Sequence, residues 1–383
     1  MGAGFPAALS SPGGGAEGDG MVRFGIVGSG WRVRFFLRAA QALRGQLEVA
    51  GLAARRPQRA ANLAAAYGVP LYRSPTELIA AQRPDFVVSS VSWSANPAIV
   101  GQLVEQGLPV LSETPPAGTV AEMQALWTFQ EQGARIQVAE QYWRQPHHAA
   151  RLAFAHSGRL GRVSQAQVSA AHGYHGISLM RRFLGIGAEL ATVSARRFSS
   201  PIVRGPSRQG PPSREKVTES NQLLAVFDFG DRLGVLDFSS DQYFSWIRGQ
   251  RLLVRGERGE IIDDGAVYLQ DFGTPIEVTF ARHSAGPDGN LEGNYLKGIQ
   301  AGERWWYRNP TIPAELSDDE IAVADLLLRM AEYVRGGEDA YSLAEACQDR
   351  YLDILAGQAA ESGEPVRAQP QPWSYALTTR GAK

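Results

Sequence analysis

The sequence contains a single cysteine, Cys347, which excludes an internal disulfide and is typical of a reducing compartment. It also lacks any apolar run that approaches the ~18 residues needed to span a bilayer. The net charge of −1 provides no overall field that would attract nucleic acid or an anionic membrane. These absences predict a cytoplasmic protein that binds neither nucleic acid nor membranes.

Residues 1–20 contain no basic residue and no sustained apolar core, so we do not expect them to form a secretory signal. Gly, Ala, Ser and Pro dominate this segment, and such a composition buries too little surface to fold. We therefore predict a disordered extension over residues 1–20. The rest of the chain is long enough for two domains.

Hydrophobic patterning divides this remainder near residue 143. Over residues 21–143, short apolar runs alternate with helical segments, which predicts crossover connections and a doubly wound parallel sheet of the Rossmann type. Over residues 144–383, consecutive strands joined by Gly- and Asp-containing turns predict an α+β domain with an antiparallel sheet. Two helices with capping signals at Ser317 and Ser342 close the chain.

Two glycines, Gly28 and Gly30, lie between the first predicted strand and the first predicted helix. An unhindered turn followed by free helix N–H groups suits a pyrophosphate, so this context predicts a dinucleotide site. The fingerprint is incomplete because Val33 occupies the third glycine position, and the alternative is a tight turn without a nucleotide. The residues predicted to line the turn are Gly28, Ser29, Gly30, Trp31 and Arg32.

The second predicted strand ends without the carboxylate that usually binds the ribose hydroxyls of NAD. Arg55 and Arg56 follow it instead, and a guanidinium can stack on adenine and pair with a 2′-phosphate. We therefore predict NADP in preference to NAD. The alternative is that these arginines are solvated charges at a helix start.

Five segments, taken in their order and spacing, resemble the Gfo/Idh/MocA oxidoreductases, which include glucose–fructose oxidoreductase and inositol dehydrogenase. They are FGIVGSGW at 24–31, PVLSETPPA at 109–117, HGISLMRRFLG at 175–185, VRGERGEI at 254–261 and YSLAEACQDRYLDIL at 341–355. The resemblance covers about residues 21–370. It implies a Rossmann domain followed by a large open, mainly antiparallel sheet that holds the substrate and pairs subunits, as a homodimer or homotetramer.

The resemblance also implies where the chemistry takes place. In the family, the segment matching 113–115 is Glu-Lys-Pro, and its lysine works with a histidine on the hydroxyl being oxidised. Here Thr114 stands at the lysine position and cannot act as a base at neutral pH, although it can donate a hydrogen bond. The histidine matches His175, which is therefore the predicted acid–base group. The residues expected at the nicotinamide end are Ser92, Trp93, Glu113 and Gln141.

Further candidates for proton transfer are His172, Tyr174 and, as a displaced lysine, Lys297. Packing or helix capping is the alternative for His175. A metal site is not expected, because neither His172 with His175 nor His147 with His148 has a carboxylate at ligand spacing.

The segment 239–253 alternates polar and aromatic residues, which predicts a strand that either stacks on a sugar or forms a subunit interface. Arg181 and Arg182 are candidates for holding an anionic substrate, and 201–214 is predicted to be a long loop near a site or a subunit contact.

The predicted function is an NAD(P)-dependent oxidoreductase that transfers hydride between the nicotinamide and a secondary alcohol of a sugar, sugar derivative or cyclitol. One alternative is an NAD-dependent glycoside hydrolase that uses an internal oxidation–elimination–reduction cycle. The other is a non-catalytic nucleotide- or sugar-binding relative.

Overall fold

The computed structural model describes residues 20–286 and 293–378, so residues 1–19 of the predicted extension lie outside the described residues. Its first sheet has six parallel strands in the order β3-β2-β1-β4-β5-β6. They are β1 (Val22–Val27), β2 (Leu47–Ala53), β3 (Leu71–Tyr72), β4 (Phe86–Ser89), β5 (Val110–Ser112) and β6 (Ile136–Val138). The strand order reverses between β1 and β4, and ligands bind at the carboxyl ends of the strands beside such a reversal.

Helices connect these strands, as the alternation predicts. They are α1 (Val33–Ala42), α2 (Pro57–Tyr67), α3 (Pro75–Gln82), α4 (Asn96–Glu105) and α5 (Val120–Glu131). Pattern reading does not find β3 or α3, because β3 is only two residues long and α3 only eight.

The second sheet has nine strands in the order β14-β13-β12-β11-β7-β10-β9-β8-β18. All neighbouring strands are antiparallel except β7 and β10, which confirms the predicted mainly antiparallel sheet. The strands are β7 (Val163–Ser169), β8 (Thr192–Val203), β9 (Val217–Asp228), β10 (Leu233–Ser239), β11 (Arg251–Gly256), β12 (Gly259–Ile262), β13 (Gly265–Asp271), β14 (Thr274–Thr279) and β18 (Val366–Arg367).

A three-stranded sheet and further helices complete the described residues. The strands are β15 (Ala281–Ala285), β16 (Tyr295–Ala301) and β17 (Arg304–Arg308). The helices are α6 (Pro146–Ala155), α7 (Gly173–Leu184), α8 (Asp318–Val334), α9 (Leu343–Ser362) and α10 (Ser374–Thr378). No helix of the described residues is both long and apolar enough to cross a membrane.

One face of the nine-stranded sheet is covered by α7. Two glycines allow the close approach, since a Cβ at Gly176 would lie 2.5 Å from Leu236 Cδ1 and one at Gly234 would lie 2.2 Å from Met180 Sδ. The packing places the first turn of α7, with His175, at the edge of the sheet that faces the Rossmann strands.

The chain returns to the first sheet at α8. Val323 and Leu327 of α8 belong to the same buried apolar cluster as Val33 and Phe36 of α1. This contact positions the N-terminal end of α8 beside the glycine turn. The domain limits at 21–143 and 144–383 stay a prediction.

The segment 239–253 is not a continuous strand, so that prediction is wrong. A 3₁₀ turn covers Ser240–Tyr243, and a loop then leads to β11. The cause is Gln242, which is buried and donates hydrogen bonds to the carbonyl oxygens of Ser169 (3.1 Å) and Gly249 (2.9 Å). These bonds draw the chain into a turn that period-two alternation cannot indicate. The loop predicted over 201–214 begins later, after β8 ends at Val203.

Arg181 is a buried ion-pair residue and is only 1% exposed, so it does not hold a substrate. Its Nη1 donates to Asp349 Oδ1 at 2.6 Å, and its Nη2 lies 2.9 Å from Glu345 Oε2. We expect Arg181→Met to lower the free energy of unfolding by about 3–5 kcal/mol, because Asp349 would remain buried without its cation.

Urea unfolding checks this expectation. The matched control is Arg329→Met, which removes an exposed arginine from its pairs on α8 and should cost less than about 1 kcal/mol. Equal losses for the two variants would contradict the assignment of Arg181 to a buried pair.

Candidate active site

The glycine turn joins β1 to α1 at the carboxyl edge of the parallel sheet. Gly28 has a φ of +139°, and a Cβ there would lie 1.9 Å from the carbonyl oxygen of Ser90. No other residue can adopt this conformation so close to β4. A Cβ on Gly30 would meet nothing within 4 Å, so the space above the turn is open to a ligand.

Arg32 fixes the turn to two other parts of the chain. Its Nε donates to Glu113 Oε1 at 2.9 Å and its Nη1 donates to Asp319 Oδ2 at 2.7 Å. Burial acts to lower the pKa of Arg32, but the two carboxylates outweigh burial and raise it. Arg32 is therefore a permanent cation that joins the β1, β5 and α8 ends.

The segment that contains Thr114 is held by a buried network on Asn96. The Asn96 Nδ2 donates to Ser112 Oγ at 2.7 Å and to the Pro116 carbonyl at 3.0 Å. Burial raises the pKa of the Tyr174 hydroxyl, and the nearby Thr114 side chain acts in the opposite direction. Thr114 thus contacts the first turn of α7, next to His175.

His175 and Glu140 form a short, buried hydrogen bond. The two residues are 6% and 1% exposed, and His175 Nδ1 lies 2.6 Å from Glu140 Oε2. The Tyr142 backbone N–H donates to Glu140 Oε1 at 3.0 Å, which fixes the carboxyl group. No described residue hydrogen-bonds to His175 Nε2, so this nitrogen is free to contact a ligand.

Burial favours the uncharged forms of this pair. It raises the pKa of Glu140 to about 8, against the opposing effects of the Tyr142 N–H and the Arg32 and Arg182 charges. Burial and the charge of Arg32 lower the pKa of His175 to about 3. The pair therefore differs from an exposed histidine–carboxylate ion pair, in which both groups would be charged at neutral pH.

Aromatic and imidazole rings surround His175. The ring centroid of Tyr142 lies 4.5 Å from that of His175, and that of Tyr174 lies 4.4 Å away. His172 Nδ1 lies 2.6 Å from the Tyr243 hydroxyl. Burial, together with His175 and Arg208, lowers the pKa of His172 to about 3, so His172 is uncharged at neutral pH.

Two orphaned polar atoms show that the site fits a polar ligand at its inner end. Arg32 Nη2 and Gln141 Oε1 are both buried and have no hydrogen-bond partner among the described residues. Both side chains bond to Asp319, Gln141 through its Nε2 at 3.1 Å. One free donor and one free acceptor, anchored on one carboxylate, match the carboxamide of a nicotinamide, which offers one acceptor and one donor.

The remaining predicted residues are partly accessible around this centre. Those with exposed side chains at the mouth are Ser29, Trp31, Ser92 and Trp93. Arg208, from the loop between β8 and β9, lies over the Trp31 ring, with its Cζ 4.1 Å from the ring centroid. Arg55 and Arg56 are exposed at the carboxyl end of β2, and neither forms an ion pair within the described residues.

Two predicted residues lie elsewhere. Lys297 is exposed on β16, in a different sheet from the strands that carry the site, and contacts neither Thr114 nor His175. This position gives no support to a displaced catalytic lysine. The Arg182 guanidinium, in the body of α7, lies over the rings of Trp143 and Tyr341, with its Cζ 3.7 and 4.9 Å from their centroids.

Sequence reasoning missed three residues that build the site: Glu140, Asp319 and Asn96. Glu140 lies two residues after the end of the last parallel strand, and polar residues at that edge are candidates for a site, so this signal was present. Asp319 carried no such signal, because an acidic residue in the first turn of a helix is accounted for by the helix dipole.

Residues 22–140 match the model of a family described as "Oxidoreductase family, NAD-binding Rossmann fold". This part of the chain is similar to the Gfo/Idh/MocA family. The match confirms the predicted resemblance, and the description of the family names the predicted class, an NAD-binding oxidoreductase. The family model ends at residue 140, so Glu140 lies at the limit of the family's Rossmann unit and His175 beyond it.

Solved structures of dehydrogenases share the fold over nearly their whole length. Levoglucosan dehydrogenase in complex with NADH and levoglucosan has a TM-score of 0.66 at 16% identity, covering 91% of this chain and 99% of its own. Myo-inositol dehydrogenase from Corynebacterium glutamicum has a TM-score of 0.62 at 18% identity, covering 92% and 100%.

An Agrobacterium radiobacter oxidoreductase in complex with NAD+, L-tartaric acid and magnesium has a TM-score of 0.63 at 17% identity, covering 90% of this chain and 98% of its own. Among curated proteins, none matches the sequence. At these identities the neighbours share the fold with this chain.

Proposed function

We propose that this protein is an NAD(P)-dependent dehydrogenase that transfers hydride between the nicotinamide and a secondary alcohol of a sugar, sugar derivative or cyclitol. One observation carries the proposal: His175, with a free Nε2, is held at the carboxyl edge of the dinucleotide-binding sheet. An acid–base group at this place is what alcohol oxidation requires. Levoglucosan dehydrogenase in complex with NADH and the Agrobacterium radiobacter oxidoreductase in complex with NAD+, which have the same fold, support it.

The chain's own residues would hold the cofactor as follows. The turn at Gly28 and Gly30 would receive the pyrophosphate, and Arg32 with Gln141 would bond the nicotinamide carboxamide through their orphaned atoms. When bound, NAD(P)+ supplies a hydride acceptor at the nicotinamide C4.

His175 would exchange the proton of the substrate hydroxyl through Nε2. Thr114 would orient that hydroxyl by a hydrogen bond, in concert with the neighbouring Tyr174 hydroxyl. The rings of Trp93 and Tyr174, whose centroids lie 6.0 Å apart, offer apolar faces of the kind that pack on sugar rings. In the family, the lysine and the histidine both act on the substrate hydroxyl. Here Thr114 would orient that hydroxyl, and His175 alone would transfer its proton.

The experiment that tests this function starts with mass spectrometry of nucleotide released from the freshly purified, denatured protein. NADP+ and NAD+ are then titrated by calorimetry, and reduction is followed by absorbance with levoglucosan, myo-inositol and a panel of hexoses. We expect dinucleotide binding and turnover of at least one compound. Failure to bind either dinucleotide would overturn the proposal, and turnover of a glycoside without net reduction would favour the hydrolase alternative.

We further propose NADP as the preferred cofactor. Arg55 and Arg56 offer two exposed guanidinium groups, and the end of β2 lacks the carboxylate that usually binds the ribose hydroxyls of NAD. Replacing both with alanine is expected to weaken NADP+ binding about 10- to 100-fold while changing NAD+ binding less than about threefold. Calorimetric titration of both dinucleotides measures the effect. Arg59→Ala, which removes an exposed arginine farther along α2, is the matched control and should alter neither. Equal weakening of NAD+ would refute the 2′-phosphate role.

The open face of the nine-stranded sheet supports self-association, as the family resemblance implies. Phe198, Leu224 and Val226 project from this face and are 54%, 40% and 39% exposed. We propose that this face pairs subunits in a cytoplasmic homo-oligomer, which sedimentation analysis would test.

A further inference from the structure

The Glu140 carboxyl group is buried and has few hydrogen-bond donors around it. Glu140 is 1% exposed, yet its Oε2 lies 2.6 Å from an imidazole nitrogen, and the only other hydrogen bond that its carboxyl group accepts from a described residue comes from the Tyr142 N–H. A buried carboxylate is costly unless several donors satisfy it. This carboxyl group has too few donors for a stable charge and one well-placed partner for a proton.

The bond to Glu140 also decides which nitrogen of His175 acts. Because Nδ1 is engaged, a proton exchanged with a ligand must pass through Nε2. When that nitrogen accepts a proton, the proton on Nδ1 can move to Glu140 Oε2 along the short hydrogen bond. The pair then gains one proton without forming a buried imidazolium.

We propose that Glu140 and His175 act as a single proton-carrying pair, in which His175 exchanges the proton with the substrate oxygen and Glu140 stores it. This inference rests on the proposed dehydrogenase function. It assigns to Glu140 the storage of the proton at a site that lacks the family's lysine. Glu140 is a positioning residue, because it acts through His175 and does not touch the substrate.

The step balances in the direction of oxidation. The substrate C–H bond breaks and its two electrons leave as hydride to NAD(P)+, while the C–O bond becomes C=O. The hydroxyl proton goes to His175 Nε2, and the Nδ1 proton goes to Glu140 Oε2. Reduction of the ketone runs through the same positions in reverse.

Charged and titratable groups face this pair from every element packed against it. They are Arg32 from the glycine turn, Glu113 after β5, Tyr142 after β6, His172 directly before α7, Tyr174 and Arg182 of α7, Asp319 of α8 and Asp353 of α9. Arg32 is neutralised by Glu113 and Asp319, and the Arg182 charge, which favours the ionised form of Glu140, is outweighed by burial.

The pH dependence of each reaction follows from the protonation state of the Glu140–His175 pair that the reaction requires. Burial raises the pKa of Glu140 to about 8, so below that pH the pair carries its stored proton and can donate it to a ketone. Oxidation requires the pair without the stored proton, because the pair must accept the proton of the substrate hydroxyl. The kcat/KM for oxidation should therefore rise about tenfold per pH unit up to a plateau near pH 8. Reduction should show the opposite dependence.

Infrared spectroscopy of the full-length protein tests the pair without any substrate. We expect a carboxylic-acid C=O band at pH 7 that disappears near pH 8 and is missing from Glu140→Gln. The exposed matched control, Glu105→Gln, should keep the band. The buried Asp349, whose pKa is raised to about 7 by burial, should give a second band that survives in Glu140→Gln.

An unchanged acid band in Glu140→Gln would overturn the proposal, because Glu140 would then be ionised. If that variant does not fold, His175→Asn serves instead, since loss of the imidazole should shift the Glu140 band and its titration. An unshifted band in that variant would equally refute the pair.

A kinetic measurement separates this proposal from the function on which it rests. For the compound turned over in the screen above, Glu140→Gln should lower kcat about 10- to 100-fold, leave KM nearly constant and abolish the pH-dependent limb. Turnover with an unaltered pH profile would sink the pair while the dehydrogenase stands. An acid band without turnover of any sugar would leave the pair and remove the dehydrogenase.

Discussion

Replacing His175 with asparagine is expected to lower kcat/KM for alcohol oxidation about 10²- to 10⁴-fold, the usual contribution of a positioned acid–base group. Asparagine can still donate a hydrogen bond toward Glu140, so the buried carboxyl group keeps a partner, but no nitrogen remains to exchange the substrate proton. Dinucleotide binding should change little, because His175 touches neither the glycine turn nor the Arg32 guanidinium.

Two measurements check this expectation together: steady-state kinetics with the compound found by screening, and calorimetric binding of NADP+. His283→Asn is the control, since it removes a histidine on β15 that packs on Trp305 at a 5.0 Å centroid distance, in the three-stranded sheet. Full activity of His175→Asn would exclude His175 as the acid–base group. A parallel loss of NADP+ binding would indicate a structural defect.

Gly28→Ala is expected to abolish dinucleotide binding and to lower the free energy of unfolding by about 2–5 kcal/mol. The new Cβ would lie 1.9 Å from the Ser90 carbonyl oxygen at a φ of +139°, so the turn or the end of β4 must move. Since the same turn positions Arg32, the displacement would also separate Arg32 from Glu113 and Asp319.

The neighbouring glycine provides a sharp control. A Cβ at Gly30 meets no protein atom within 4 Å, so Gly30→Ala should leave the free energy of unfolding nearly unchanged. It should still weaken dinucleotide binding, because the methyl group would project into the space where the pyrophosphate is expected. Thermal unfolding and calorimetry of both variants separate the two effects. An undamaged fold and full binding in Gly28→Ala would contradict the description of the turn.

Much of the fold follows from local patterns in the sequence. The alternation of apolar runs with helical segments predicts the parallel sheet, and the capping box at Ser317 with Glu320 predicts the start of α8. Both features depend on residues close together in the chain. The long strand β8 was not found, because its two faces have different neighbours and Arg196 and Arg197 interrupt its apolar pattern.

The residues of the candidate site also fall into two groups, those that a local motif indicates and those that it does not. The glycine turn and His175 were found because each carries a local motif. Glu140 and Asp319 were not, because their partners are 35 and 287 residues away in the sequence, in His175 and Arg32. Spacing along one sequence gives no means of pairing a buried acid with a base on another element.

The two bonds that cross between the early and late parts of the chain limit how the protein can be rebuilt. Arg32 depends on Asp319, and Glu140 depends on His175, so each half of the chain supplies residues that the other half needs. Grafting the later half of a relative onto this Rossmann unit, to change the substrate specificity, would leave Arg32 and Glu140 facing residues selected for other partners. A chimera would therefore have to keep both members of each pair, Arg32 with Asp319 and Glu140 with His175.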